Sequence, residues 1–229
     1  MAHNCALSRE EIESHTVEYY RTAGGTRPDL RVVETDGGRI VVKDFRNSDF
    51  LFRTIVGPIL IRREYGALRK LMGVTGIPAL VAKIDRYAIA IEHVSGISLD
   101  KRPSSDIPNE FYSELRRVID DMHAHGVAHC DLRSRGNVML GDDGKPYVID
   151  FGACVFRGRG LNPFIKWLFS QFVLADCNAV LRIKKRMSPQ LLSESERIEL
   201  DTPLPFERPA RVFGETVRKI TRKLLTRHS

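Results

Sequence analysis

The stretch VAHCDLRSRGNVML, residues 127–140, carries an acid and an amide six residues apart, Asp131 and Asn137. Thirteen residues after Asn137 comes a second acid, Asp150, in YVIDFG. NVML and PYVID are short apolar runs separated by GDDGK, a turn sequence, so the spacing predicts a β-hairpin. In an antiparallel pair the first residue of one strand and the last of the other lie at the same end, which makes Asn137 and Asp150 neighbours. An amide oxygen and a carboxylate there are hard ligands of the kind Mg²⁺ takes when phosphate and water complete its shell. Asp131, in the loop just before, is placed to orient a hydroxyl beside that metal or to accept its proton. Taken singly, Asp131 reads equally well as a turn cap and Asn137 as a strand start. Only the three together, with Phe-Gly following Asp150, point to a site.

Such a site needs a scaffold, and the chain supplies two kinds of element. LRVVE, the turn TDGG and RIVVKDF predict a hairpin, with Asp-Gly-Gly tolerating positive φ. IRREYGALRKLMG predicts a helix, with Ile61, Tyr65, Leu68 and Met72 at helical spacing. ALVAKID and YAIAIEHV read as two more strands, the second apolar enough to be central. SGISLDKRPSSDIP reads as linker and loop. NEFYSELRRVIDDMHAHG then predicts an amphipathic helix with Phe111, Leu115, Val118, Ile119 and Met122 on one face and Gly126 as its stop. The order is a sheet-rich lobe, residues 1–94, followed by a helix-rich lobe, residues 95–229.

Composition bounds the partners. The 229 residues are 42% hydrophobic and 28% charged, an ordinary globular balance. Four cysteines (Cys5, Cys130, Cys154, Cys177) show no C-x-x-C pair, which fits a reduced cytoplasmic chain with free thiols. The polar, acidic N-terminus is no signal peptide. The apolar stretch LNPFIKWLFSQFVLADCNAV is broken by Lys166 and Asp176 and falls short of a membrane span. A net charge of +7, with much of the excess after residue 157, favours anionic partners. Nucleic acid is the least favoured of these, because no aromatic platform is interleaved with the basic residues. Residues 161–175 read either as a core helix under the second lobe or as a membrane-contacting one. The C-terminal stretch, with Phe213, Val217, Ile220 and Leu224 in one stripe among basic residues, reads either as a packed helix or as one lying on anionic lipid.

HCDLRSRGN followed by IDFG resembles the catalytic loop and metal-binding motif of the protein-kinase-like superfamily. Within it the chain is most similar to the RIO kinases and to the small bacterial lipopolysaccharide (Kdo and heptose) kinases, over residues 30 to 155. The resemblance implies an α+β, bilobal protein-kinase-like fold with a sheet-rich N-lobe and a compact helical C-lobe. It implies that ATP and Mg²⁺ are the cofactors. Lys43 in VVKDF would hold the nucleotide phosphates, with Val41 before it on the same strand, and Glu64 would be its ion-pair partner. Helical spacing independently puts Glu64 on the face of Leu68 and Leu71, away from Arg62, Arg63, Arg69 and Lys70, where a carboxylate wants a buried cation. The backbone of Glu92 and Val94 would contact adenine. Asn137 and Asp150 would hold the metal, Asp131 would orient the acceptor, and Arg133 would neutralise the transferred phosphoryl group.

The chain departs from the superfamily pattern in four places. The Asp131–Asn137 gap is one residue longer than usual, so either a residue loops out at Gly136 or Gly136 takes the place of Asn. Cys130 replaces the arginine that receives a regulatory phosphate in many kinases, and His129 beside it reads as a packed histidine. No G-x-G-x-x-G is present; Gly24 and Gly25 form either a shortened phosphate-covering loop or a plain turn. Nothing resembles the A-P-E segment of the peptide platform. The expected activity is ATP- and Mg²⁺-dependent phosphorylation of a hydroxyl, on a glycolipid sugar or a protein Ser/Thr. The alternative is a pseudokinase scaffold that recruits anionic partners through its basic tail.

Overall fold

A computed structural model describes residues 7–103, 107–158, 160 and 162–202. The C-terminal stripe from Phe213 to Leu224 therefore lies outside the described residues, as does Cys5. A short helix α1 (Arg9–Ser14) opens the chain and is closed by a capping box, in which Ser8 and Glu11 satisfy each other's backbone N–H. Five strands follow: β1 (Thr16–Arg21), β2 (Asp29–Thr35), β3 (Gly38–Asp44), β4 (Leu80–Lys83) and β5 (Ala88–Glu92). They form one antiparallel sheet in the order β1-β2-β3-β5-β4. The β2–β3 hairpin closes at Asp36-Gly37 with Gly38 at φ 106°, the positive value that Asp-Gly-Gly is suited to supply. β5 lies between β3 and β4, as its run of apolar residues requires.

The two faces of this sheet are covered differently. On one, Ile12 of α1 packs with Val33, Ile40, Val42 and Ala90 in a small separate cluster. Arg9 locks α1 there by pairing with Asp44 at 2.7 Å and Asp85 at 2.6 Å. The other face carries helix α2 (Gly57–Lys70), which a π-helical turn at Phe52–Val56 leads into. Ile61 and Leu68 bury as their spacing predicts and Tyr65 is partly buried, but Met72 lies beyond the helix end and is 65% exposed.

The segment after β5 is not merely a linker. Its first residues form β6 (Gly96–Ser98), which pairs antiparallel with β8 (Val138–Gly141), and β8 pairs with β9 (Pro146–Val148). A side chain at Gly96 would fall on the Leu140 carbonyl, so only glycine permits this approach. Helix α3 (Phe111–Ala124) buries Phe111, Leu115, Val118, Ile119 and Met122, and the chain leaves it through Gly126 at φ 75°. Strands β7 (Val127–Ala128) and β10 (Val155–Phe156) make a two-stranded ladder beside it.

Helix α4 (Pro163–Met187) begins at Asn162, whose side chain accepts the N–H of Phe164 at 2.9 Å, and a final helix α5 (Glu194–Asp201) follows. Of the two readings of residues 161–175, the core one holds only for Phe169 and Gln171, which are buried. Phe164 is 64% and Trp167 47% exposed, and their rings stack at 5.9 Å. By length and composition α4 passes the test for a membrane span that the sequence reading denied it. Its second half, Asp176 to Ile183, is nonetheless largely buried inside the fold.

Candidate active site

Lys43 is the fixed point of the site. It sits near the end of β3, opposite Leu30 on β2 and Ile89 on β5, and is 5% exposed. Its Nζ lies 2.7 Å from Glu64 Oε2 and 2.7 Å from Asp150 Oδ1. Burial alone would lower the ammonium's pKa; Asp150 and Glu64 outweigh it, and the pKa lies above the ordinary lysine value. Asp150, with a half-exposed side chain, is held at about 2 chiefly by the charge of Lys43. Glu64 is pushed up by its own burial, which Lys43 opposes and Asp150 reinforces. Three charges thus share one buried cation. Val41 lies two residues earlier, opposite Ile91, on the same side of the strand.

Helix α2 is held against this cluster by a contact the spacing argument overlooked. Arg63 does not point away; its guanidinium donates to the carbonyl of Cys154, just beyond the Asp-Phe-Gly turn. Asp150 itself adopts a left-handed conformation, φ 65°, and accepts the Gly152 N–H. A non-glycine residue held at positive φ costs about 1–2 kcal/mol. Here the Lys43 ion pair and the packing of Phe151 impose it.

The hairpin places Asn137 and Asp150 as its register requires, with Ile149 N–H donating to the Asn137 carbonyl at 3.0 Å. The Asn137 amide nitrogen donates to the Asp131 carbonyl at 2.9 Å and to its carboxylate at 3.1 Å. Asn137, not Gly136, therefore faces Asp131. The additional residue is taken up by a 3₁₀ turn at Arg135–Asn137, and Gly136 is not among the positive-φ glycines. Because the amide nitrogen is committed to Asp131, the Asn137 oxygen is the atom that can meet a cation. With Asp150 beside it, this is a hard-oxygen donor set that fits Mg²⁺. Arg133 is exposed on the same loop. Arg135, which reads as a solvated loop arginine, instead donates to the Leu99 carbonyl at 3.4 Å.

Asp176 was missed entirely as a functional residue. From the middle of α4, 1% exposed, it accepts the His129 N–H at 2.7 Å and the Cys130 N–H at 2.9 Å, and pairs with His123 Nε2 at 3.1 Å. One carboxylate thus anchors the backbone immediately before Asp131. Cys130 takes φ 70°, a second non-glycine residue in the left-handed region, and its N–H bond to Asp176 holds it there. The sole signal was an acid inside an apolar helix. His129 is packed against Phe151, with Nε2 bonded to the Ile149 carbonyl at 2.9 Å and Nδ1 accepting the Asp131 N–H at 3.3 Å. Both ring nitrogens are committed within the fold. Burial raises the Cys154 thiol to about 11 and pushes Cys130 up as well, so neither is a ready thiolate.

The remaining predicted positions spread around this centre. Glu92 N–H is used within the fold, donating to the Ala79 carbonyl at 2.8 Å, and its carboxylate accepts the Ala79 N–H. Glu92 and Val94 line a cavity of about 300 Å³ with His93, Ser95, Asp142, Asp143 and Tyr147. Lys43 does not line it, and its three carboxylates have the wrong sign for phosphate, so it flanks the nucleotide cleft. Gly24 and Gly25 lie in the β1–β2 connection, where Gly24 bridges Arg27 and Gly25 takes φ 57°.

Comparison with known proteins agrees with this arrangement. The chain spans about a quarter or less of the length of the curated relatives it matches. The CBL-interacting serine/threonine-protein kinase 15 of Arabidopsis thaliana is 29% identical over 99 residues, 40% of this chain and 23% of that one. The probable serine/threonine-protein kinase mkcC of Dictyostelium discoideum is 36% identical over 78 residues, 31% of this chain and 8% of that one. The Rio2 kinase of Chaetomium thermophilum superposes with a TM-score of 0.58 at 18% identity, over 85% of this chain and 62% of its own. Its ADP/Mg²⁺-phosphoaspartate complex gives 0.56 at 19% identity, over 87% and 64%. These two likenesses show the α+β bilobal kinase fold. The model of the RIO domain matches residues 36–190, more than half the chain, from the β2–β3 turn to the end of α4, and the protein belongs to the RIO domain family.

Proposed function

We propose that the protein is an ATP- and Mg²⁺-dependent phosphotransferase acting on a hydroxyl. The observation that carries this reading is Lys43 held between Glu64 and Asp150 at 2.7 Å each. Lys43 would bind nucleotide phosphates, and Asn137 and Asp150 would hold the Mg²⁺ that bridges them. Asp131, oriented by Asn137, would position the acceptor hydroxyl and take its proton, with Arg133 offsetting charge on the phosphoryl group. Such a site works mainly by alignment and charge neutralisation. The serine/threonine kinases among the relatives support a protein hydroxyl as acceptor.

A second reading, a glycolipid sugar at the cytoplasmic face of a membrane, is favoured by one observation. Phe164, Ile165 and Trp167 are exposed together at the start of α4 with Lys166 among them, an amphipathic composition suited to anionic lipid. ATP turnover by the full chain with Mg²⁺ and no acceptor, alongside Asp131→Asn, tests the activity. Slow hydrolysis or self-phosphorylation that the variant loses is expected. Unchanged turnover in the variant would remove Asp131 from the mechanism, and nucleotide binding with no turnover would favour a pseudokinase scaffold.

A further inference from the structure

The roof of the cleft lacks a G-x-G-x-x-G loop, yet one strand end over Lys43 is built unusually. In regular antiparallel pairing Arg21 would share a sheet face with Tyr19, two residues earlier. Tyr19 pairs with Arg31, whose guanidinium lies 5.9 Å from its ring. A register shift between Tyr19 and Arg21 changes this: Arg21 pairs with Leu30, and Leu30 pairs with Lys43. Directly opposed residues point to one face, so the bulge transfers Arg21 to the face of Lys43, two strand spacings, about 10 Å, away. Re-aiming a side chain at a sheet rim is a recurrent use of such bulges.

Charge and anchoring agree with that direction. Arg21 is partly buried, and its Nε donates to the Pro28 carbonyl at 3.2 Å, which uses one of its five N–H groups. Burial lowers its pKa, the negative charge of Asp150 supports its charged form, and Arg27 in the same connection repels it. Two cations thus crowd one hairpin end above the metal-side carboxylate, an arrangement that an anion would relieve. The connection is also pinned. Asp49 N–H donates to the Gly25 carbonyl and Ser48 Oγ to the Arg27 carbonyl, both at 2.9 Å. A tied turn cannot wrap backbone N–H groups around phosphates as a free glycine loop does; a side-chain cation can reach them instead.

We propose that Arg21 binds the phosphates of the nucleotide, its guanidinium taking the place of the missing glycine-rich loop. The assignment rests on the nucleotide-binding reading above. A planar guanidinium offers two parallel N–H groups to phosphate oxygens, and it complements the single point charge of Lys43. It would contact phosphate and not base, so it contributes to ATP and ADP binding and not to adenosine binding.

Titration calorimetry of the full-length wild type, Arg21→Met and Arg21→Lys with Mg²⁺-ATP, Mg²⁺-ADP and adenosine tests this, with circular dichroism as the check on folding. Loss of a charge-assisted phosphate contact is expected to weaken ATP and ADP binding about tenfold in Arg21→Met, with adenosine unchanged and Arg21→Lys intermediate. Wild-type ATP affinity in Arg21→Met overturns the assignment while leaving the kinase reading intact. Equal losses for ATP and adenosine also overturn it, because they mark Arg21 as structural. A wild type that binds neither ATP nor ADP overturns the kinase reading, and the Arg21 assignment with it.

Discussion

Lys43 is asked to neutralise two carboxylates at once, and that sharing sets the behaviour of the site. Its partner Asp150 is held at about 2 by the ion pair, below the value of about 3.9 of an unfolded aspartate. A carboxyl depressed in the folded state stabilises fully above the unfolded value, and that contribution is lost as pH falls through the folded one. The stability difference between wild type and Asp150→Asn, from urea unfolding, should therefore shrink as pH drops from about 4 to about 2. A difference that stays constant over that window would contradict the Lys43–Asp150 pair. At neutral pH the same variant should lose phosphotransfer, because the metal and Lys43 both lose their carboxylate partner. Glu64 was legible because helix periodicity put a charge on an apolar face. Arg63 was not: its partner is a backbone carbonyl 91 positions away, and carbonyls leave no mark in sequence.

At the level of elements, the catalytic loop is held from below by a helix that sequence reading treated only as apolar mass. Asp176 on α4 accepts two backbone N–H groups of that loop and a histidine of α3. In Asp176→Ala those buried donors lose their acceptor, and the cost is about 3 kcal/mol or more. Its urea midpoint should fall with little change in slope, and turnover should fall further than the lost stability explains, because the left-handed turn at Cys130 is released. Wild-type stability in Asp176→Ala would mean that the carboxylate is not the anchor. Element identity was readable wherever periodicity was long, as in α2, α3 and the β2–β3 hairpin. Strand β1 escaped notice because its residues are mostly exposed and it carries two register shifts, so no two-residue alternation appears.

Across the whole molecule, the described residues form a sheet and a helical body tied together by α2 and by the β6–β8–β9 sheet. Helix α4 extends out of that body, with Trp167, the one tryptophan of the chain, half exposed near its start. Trp167 fluorescence should accordingly report a hydrated indole in the native state and shift little on unfolding. Trp167→Ser should alter stability by less than about 0.5 kcal/mol, as exposed substitutions generally do. A large emission shift on unfolding would show that the helix start is covered. A blue shift on adding anionic vesicles would favour the membrane-facing reading.

The chain's sequence by itself determined the site's membership and its element types. Residue chemistry and local spacing are properties of a linear string, and a hairpin brings its own strand ends together. That is why Lys43, Glu64, Asp131, Asn137 and Asp150 could be named from spacing and resemblance. What only the tertiary structure decided were relations between distant segments: Asn137 facing Asp131 across a 3₁₀ turn, Asp176 beneath the catalytic loop, Arg63 on the Cys154 carbonyl, and Arg21 turned by a bulge to the face of Lys43. Each depends on register, handedness or packing between segments far apart in the chain, and three-dimensional proximity of that kind has no local sequence signature.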